Sequence, residues 1–171
     1  LKAYFIKRKK IYKYIFIKTD YMQKTIQKQL NDFFRDITAI GGLVASLLLI
    51  LLFVSSQLLM PLVAGSLIIA SIIILIRIFY FKDRPKKEMH TNFVERIDAS
   101  SFPSMHTARI FFLAILFSVY FANRYLTILC IIIAVLVSYS RIYLKKHDWI
   151  DVLGGVAVGV ATYFLIAWIF F

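Results

Sequence analysis

The segment "SRIYLKKHDWID", residues 140–151, joins two apolar stretches and holds the residue pair with the clearest chemistry. His147 and Asp151 are four residues apart, which places a carboxylate beside an imidazole on one face of a helix. A carboxylate that accepts a hydrogen bond from one ring nitrogen fixes the tautomer and leaves the other nitrogen free to attack, or to stabilise what attacks. Arg141 adds a cation nearby. The remaining charged residues of the segment are interpreted as solvated or lipid-facing: Lys145, Lys146 and Asp148.

Two arginines lie near the ends of a second segment, "RIFYFKDRP". Arg77 and Arg84 are seven residues apart, nearly two turns of a continuing helix, so both guanidiniums would point toward one anion. Pro85 is expected to end that helix. Basic residues at a membrane boundary also commonly anchor a helix to lipid headgroups, so this pair by itself has two interpretations.

A third segment, "SSFPSMH", has the composition of a helix start. Pro103 suits the first helical turn, and Ser100 or Ser101 would cap it. Free backbone N–H groups at such a terminus, with the Ser104 hydroxyl beside them, form a cradle for phosphate. His106 lies one turn inside, where a catalytic histidine and a hydrogen-bonded interface histidine are equally expected.

The composition then shows which elements position these residues. Of 171 residues 61% are hydrophobic, well above the roughly 45–50% of soluble domains, so a single-domain membrane protein is expected. Crossing the bilayer takes about 20 apolar residues. Arg109, in the second turn of the third such stretch, is expected to extend its charge to the interface. We therefore predict an all-α integral membrane bundle with about five transmembrane helices, at residues 37–56, 58–76, 104–122, 126–143 and 150–171.

Residues 1–34 differ from this pattern because Lys and Arg alternate with Ile, Tyr and Phe, with no uncharged run long enough to cross. This predicts an interfacial amphipathic helix, separate from a transmembrane domain at residues 35–171. A disordered basic tail is the alternative. The net charge of +12 indicates anionic lipids and phosphorylated substrates as partners. Nucleic acid is not expected, because it would need a soluble or extended basic surface.

Five antiparallel spans place all three segments on one face of the membrane. The ends of the second and fourth spans meet the starts of the third and fifth, which assembles arginines, a helix N-terminus, two histidines and a carboxylate. Such a set suits a phosphoryl group. Of the 21 Lys and Arg residues only Arg124 falls on the other face, so the positive-inside rule would place the crowded face in the cytoplasm.

These segments resemble the three motifs of the type 2 phosphatidic acid phosphatase superfamily, K-x-x-x-x-x-x-R-P, P-S-G-H and S-R-x-x-x-x-x-H-x-x-x-D. The matches are residues 77–85, 103–106 and 140–151, and the third is complete. Arg77 stands where the family has lysine, so a planar guanidinium with several donors replaces a compact ammonium. Met105 replaces the glycine, which a helical residue tolerates because its N–H remains available.

The resemblance implies that His147 attacks phosphorus to form a phosphohistidine, that Asp151 holds His147, and that His106 protonates the leaving oxygen. It also implies five phosphate-binding residues: Arg77, Arg84, Ser104, Met105 and Arg141. No metal or other cofactor is expected. The arginines supply the charge that magnesium supplies in kinases, and the sequence has no dense carboxylate cluster to bind an ion.

The implied activity is a membrane lipid phosphatase that removes a terminal phosphate at headgroup level. The family's bacterial substrates are phosphatidylglycerophosphate, undecaprenyl pyrophosphate and lipid A 1-phosphate, and the motifs do not separate them. A lipid-to-lipid phosphotransferase shares every motif. A non-catalytic channel or lipid-binding scaffold explains the hydropathy but leaves the pairing of His147 with Asp151 unexplained. The resemblance implies a bacterial plasma-membrane protein with an extracytoplasmic active site, and we prefer this orientation over the one from charge counting.

Overall fold

The computed structural model describes residues 2–53, 56–86, 89 and 91–171, with side chains from residue 18 onward. Within these residues the secondary structure is helical and contains no strand, which confirms the all-α prediction. The helices are α1 (Lys2–Ile40), α2 (Leu43–Leu52), α3 (Leu59–Phe79), α4 (Phe93–Ala99), α5 (Met105–Phe121), α6 (Arg124–Tyr143) and α7 (Trp149–Phe170).

The chain forms two compact units, Leu1–Phe33 and Phe34–Phe171. In the first unit residues 2–33 are helical, unlike the disordered tail considered as an alternative. Four apolar side chains follow one another at helical spacing and are exposed: Met22, Ile26, Leu30 and Phe33. Such a stripe suits a helix on a membrane surface, and the interfacial location stays a prediction.

Three helices, α3, α6 and α7, are long and apolar enough to cross a membrane. A fourth span is formed if residues 18–40 and α2, which meet at a 45° bend, are taken together, and α5 is shorter at 17 residues. The predicted first span, residues 37–56, is therefore wrong as one continuous helix. It breaks at Gly41 and Gly42, since glycine is a weak helix former and Gly42 is extended, with φ −79° and ψ 170°.

Close packing of α7 on α5 brings the site together. A Cβ on Gly155 would lie 2.6 Å from the Ser104 carbonyl oxygen, and one on Gly159 would lie 2.4 Å from the Ala108 carbonyl oxygen. Only glycine permits this approach of the two backbones. As a result the first turn of α7 lies beside the start of α5, where the Ser104 amide donates to the Asp151 carbonyl oxygen at 2.9 Å.

The bundle buries a main core and a smaller one, and it leaves much apolar surface outside. Leu62 and Ile73 of α3, Phe112 and Leu116 of α5, and Ile166 of α7 pack in the main core. In α3, α6 and α7, however, only 28 to 33% of the most apolar window is buried. Large apolar side chains project outward along all three helices. A surface this apolar belongs in lipid, so the chain is an integral membrane protein.

Candidate active site

Four helix ends meet at one end of the bundle: the C-termini of α3 and α6 and the N-termini of α5 and α7. The Arg77 guanidinium joins α3 to the start of α5 by donating from Nη2 to the Pro103 carbonyl oxygen at 3.0 Å. Backbone contacts join α5 to α7. The structure thus brings all three motif segments together.

The turn between α6 and α7 fixes the backbone of His147. Lys145 adopts a left-handed conformation with φ 55°, which ends α6 and turns the chain back. The amides of Lys146 and His147 then both donate to the Arg141 carbonyl oxygen, at 3.1 and 3.2 Å. The two side chains that follow from this turn, Arg141 and His147, are both buried.

The expected placement of His147 and Asp151 on one face of a helix is wrong, because His147 precedes α7. The two side chains are close for another reason, which is the N-cap of α7. Asp148 is the N-cap of α7 and Asp151 is its third residue, and the two form a capping box. The cap turns the Asp151 carboxylate back toward residue 147. Asp151 Oδ2 consequently lies 3.7 Å from His147 Nδ1.

The Asp151 carboxylate is fully buried and firmly held. Its Oδ2 accepts from the Asp148 amide at 3.0 Å, and its Oδ1 accepts from Lys82 Nζ at 2.8 Å. At 3.7 Å the imidazole lies within ion-pair range but beyond a hydrogen bond, and Nδ1 of His147 has no hydrogen-bond partner among the described residues. With Nδ1 facing the carboxylate, Nε2 is the nitrogen left for chemistry.

Burial lowers the pKa of His147, and its contact with Asp151 only partly offsets this because the Arg141 and Arg84 charges lower the pKa further. The imidazole is therefore neutral at neutral pH. A neutral imidazole has the lone pair that a nucleophile needs.

The start of α5 differs from the expectation. The helix begins at Met105, and Ser104 is its N-cap, with Oγ accepting from the Thr107 amide at 3.5 Å and from Thr107 Oγ1 at 3.0 Å. Pro103 thus lies outside the helix. Met105 has no positive φ, and its amide belongs to the first turn, where N–H groups have no intrahelical acceptor.

Ser100 and Ser101 do not cap α5 because they bind the segment that follows α3. Ser100 Oγ accepts from the Lys82 amide at 3.3 Å, and the Ser101 amide donates to the Lys82 carbonyl oxygen at 2.8 Å. These bonds hold residues 80–86 outside any helix, so α3 ends at Phe79. The expectation of a helix continuing from Arg77 toward Pro85 is therefore wrong.

Arg77 is buried and already braces the loop that follows α3. Its Nη1 donates to the Ile97 carbonyl oxygen at 3.3 Å, in addition to the bond from Nη2. Its Nε is buried and has no hydrogen-bond partner among the described residues. Nε is consequently one of the N–H groups of Arg77 that can donate to an oxyanion. Arg84 also braces this loop, donating from Nη2 to the Asp98 carbonyl oxygen.

His106 lies in the first turn of α5, close to the other site residues. His147 and three guanidiniums are near enough to interact electrostatically with its ring: Arg84, Arg109 and Arg141. Arg109 is only 8% exposed, so its side chain lies inside the protein, and its level relative to the membrane interface stays a prediction. The side chain is buried because α6 and α7 pack against α5 and enclose its second turn.

The sequence interpretation missed two residues of this network. Asp148, expected to be solvated, caps α7 and accepts from Lys82 Nζ at 2.6 Å. Burial disfavours the Lys82 charge, yet the hydrogen bonds to Asp148 and Asp151 raise the pKa of Lys82. An acidic residue three positions after Asp148 was a sequence signal for the capping box. Lys82 gave none, because its partners are 66 and 69 residues away.

An apolar cavity of about 820 Å³ lies between α2, α5 and α6. Its walls include Ile40, Ala45, Leu48, Ile110, Leu113 and Cys130. Ile110 is one turn along α5 from His106. Gly42, where α1 gives way to α2, is so close to the His106 ring that an added Cβ would lie 3.9 Å from Nε2. The cavity therefore begins beside the polar site.

Known proteins resemble this chain in sequence and in fold. Undecaprenyl-diphosphatase BcrC of Bacillus subtilis (strain 168) is 38% identical over 106 residues, which cover 60% of this chain and 53% of BcrC. The chain thus spans about half the length of this curated relative.

Two solved structures share the fold. The first transmembrane PAP2 type phosphatidylglycerolphosphate phosphatase from Bacillus subtilis superposes with a TM-score of 0.66 at 24% identity, over 82% of this chain and 76% of that one. Aquifex aeolicus LpxE gives a TM-score of 0.69 at 23% identity, over 81% and 86%. The sequence profile of the PAP2 superfamily matches residues 54–171. This match covers more than half of the chain and all three motif segments, so the chain belongs to the PAP2 superfamily.

Proposed function

We propose that this protein is a membrane lipid phosphatase that hydrolyses a terminal phosphate from a lipid phosphate or pyrophosphate. One observation carries the proposal: the buried His147 imidazole lies 3.7 Å from the Asp151 carboxylate, within electrostatic reach of His106 and the arginines. A scaffold or channel has no need of this costly arrangement.

In the proposed reaction His147 Nε2 attacks phosphorus as the bond to the leaving oxygen breaks. His106 acts as the imidazolium: it donates a proton to that oxygen and becomes neutral. The Asp151 carboxylate stabilises the positive charge that develops on the His147 ring. Water then attacks the phosphohistidine, with His106 accepting its proton, and phosphate is released. Both histidines end in their starting protonation states.

The phosphate oxygens would be held by the charges and N–H groups at the four helix ends. Arg84 and Arg141 supply full charges and Arg77 supplies Nε. Because Thr107 Oγ1 donates to Ser104 Oγ, the Ser104 hydroxyl proton is available to the oxyanion, beside the Met105 amide. The scheme uses these groups in place of a metal ion, so phosphate release is expected to survive chelation by EDTA.

The cavity beside His106 supports a lipid rather than a soluble substrate. Its volume of about 820 Å³ is within the range of ligand pockets, and the named wall residues are apolar. The hydrocarbon tail of a lipid phosphate would lie in it, with the headgroup at the polar end. The similarity to an undecaprenyl-diphosphatase makes a polyprenyl pyrophosphate the first substrate to test, before phosphatidylglycerophosphate and lipid A 1-phosphate.

The decisive experiment is phosphate release by the purified protein over this panel of lipids. Wild-type protein should release phosphate from at least one lipid, vanadate should inhibit it as a transition-state analogue, and His147→Ala should be inactive while still inserting into membranes. A fully active His147→Ala protein would refute the mechanism. Transfer of labelled phosphate to a second lipid, in place of release, would identify a phosphotransferase.

The tail position can be tested on α2. Ala45→Phe should raise KM severalfold for a long-chain polyprenyl pyrophosphate but leave a five-carbon isoprenyl pyrophosphate unaffected. Val44→Phe is the matched control, because Val44 is exposed and lies outside the cavity wall. Equal effects of both variants on both substrates would place the tail elsewhere.

We further propose that the site faces the extracytoplasmic side of a bacterial plasma membrane, with anionic lipids around it. The family resemblance supports this orientation against the charge count. In a Cys130→Ala background, Val94→Cys places a thiol at an exposed position of α4. An impermeant maleimide should label it in intact cells, and labelling only after lysis would place the site in the cytoplasm.

A further inference from the structure

Lys82 makes two ionic contacts at the candidate active site. It lies outside the helices, two residues before Arg84, and its ammonium bridges two carboxylates. Nζ is 2.6 Å from Asp148 Oδ2 and 2.8 Å from Asp151 Oδ1. The side chain is 23% exposed, whereas that of Asp151 is fully buried. A lysine this enclosed is ordered by its partners rather than by solvent.

The same contacts close a ring around the catalytic carboxylate. Asp148 Oδ1 accepts from the Asp151 amide and Asp151 Oδ2 accepts from the Asp148 amide, both at 3.0 Å. Lys82 joins the remaining oxygen of each residue. The Asp151 carboxylate is thereby fixed in rotation as well as position, with one oxygen turned toward His147.

We propose that Lys82 is a positioning residue that fixes the Asp151 carboxylate against His147 and shares its negative charge, so that the imidazole stays neutral in the resting enzyme. The inference rests on the proposed function, since it concerns the readiness of the same nucleophile. Its content is that the Asp151 carboxylate, 3.7 Å from His147 Nδ1, would otherwise favour imidazolium, which has no lone pair for attack.

The charges around His147 show why Lys82 matters. Asp148 and Asp151 at the start of α7 contribute two negative charges, and Arg141 of α6 and Arg84 contribute two positive ones. His106 of α5 faces the same ring. Lys82 partly neutralises the charges of Asp148 and Asp151, because its ammonium contacts both carboxylates. Consistent with this balance, burial and the arginines lower the pKa of His147 despite the adjacent carboxylate.

The sign of the expected effect follows from the required protonation state. Attack needs neutral His147, so activity falls as the pH drops below the pKa of His147. Lys82→Met removes a positive charge, raises that pKa and should move the acid limb of the kcat/KM profile about one pH unit higher. Asp148→Asn removes a negative charge but keeps a capping side chain, so its acid limb should move lower.

The experiment compares pH profiles of phosphate release from the best lipid substrate for wild-type protein and four variants. Lys86→Met is the matched control, because Lys86 is an exposed lysine in the same segment, and its acid limb should not move. Lys82→Arg keeps the positive charge, so the acid limb of its kcat/KM profile should stay at the wild-type pH. Its kcat should be lower, since a planar guanidinium fits the two carboxylates differently from an ammonium.

Opposite shifts in Lys82→Met and Asp148→Asn, with Lys86→Met unchanged, would support the inference. A Lys82→Met protein that loses activity equally at every pH would show a structural role only and overturn it. If Lys82→Met fails to fold, the pH profile of Asp148→Asn is the deciding measurement. An acid limb that stays at the wild-type pH in this variant would overturn the inference. An active His147→Ala protein would instead refute the proposed function, so the two failures are distinguishable.

Discussion

Replacing Asp151 with asparagine removes one negative charge with little change of shape. The amide oxygen can still accept a hydrogen bond from Lys82 or the Asp148 amide, and Asp148 still caps α7, so the fold should survive. What is lost is stabilisation of the imidazolium that would form in the proposed attack of His147 on phosphorus. At the observed 3.7 Å and an effective dielectric constant of about 20, this attraction is at most about 4.5 kcal/mol.

Because Lys82 shares the Asp151 charge, we take about half of this attraction as the lower bound on the stabilisation that Asp151→Asn removes. The two bounds correspond to a kcat loss between about 50-fold and about 2,000-fold. Rapid-quench measurement of the phosphoenzyme burst should show that the phosphorylation step is slowed, while substrate affinity stays near that of the wild type. Asp36→Asn is the control, since Asp36 is an exposed carboxylate. An Asp151→Asn protein with kcat within threefold of wild type would refute the role of this carboxylate.

Three further outcomes are expected. His106→Ala should lose about 100-fold or more in kcat on lipid phosphates but far less on p-nitrophenyl phosphate, whose leaving group needs no proton; equal losses on both would contradict the acid role. Gly159→Leu should lower the thermal-inactivation midpoint in detergent by several degrees, because its Cβ would meet the Ala108 carbonyl oxygen, whereas outward-facing Ala157→Leu should not. Arg77→Lys restores the lysine of the family motif yet should reduce stability and kcat, because a compact ammonium does not reproduce the forked geometry in which Nη1 and Nη2 donate to the Ile97 and Pro103 carbonyl oxygens. Unchanged stability and kcat would show that the guanidinium geometry is dispensable.

Hydropathy predicted the long helices well because lipid imposes both their length and their composition. The predicted spans 58–76, 126–143 and 150–171 lie close to α3, α6 and α7. The bend at Gly41 escaped this approach, since two glycines barely change the mean hydropathy of a long apolar run. The glycines were visible in the sequence, but their place beside the His106 ring depends on packing that no local pattern reports.

The motif spacings identified residues that the fold does bring together. The helix geometry inferred from those spacings, however, was partly wrong. Arg77 and Arg84 do not share a helix, and His147 does not lie within one. The second error arises from the tight turn between α6 and α7, whose amides donate to the nearby Arg141 carbonyl oxygen. The first error arises from the long-range hydrogen bonds of residues 80–86 to Ser100 and Ser101. Lys82 went unnoticed for the same reason.

The four helix ends also bear on how the proposed site would attract an anion. The N-termini of α5 and α7 present the positive ends of their helix dipoles, whereas the C-termini of α3 and α6 present negative ends. Arg77 lies in the last turn of α3 and Arg141 in the last turn of α6. Each arginine thus offsets an unfavourable dipole before it contributes to phosphate binding. Exchanging either for a neutral side chain would therefore remove a cation and also expose a negative helix end to the substrate, so the loss in phosphate affinity should exceed that of one surface charge.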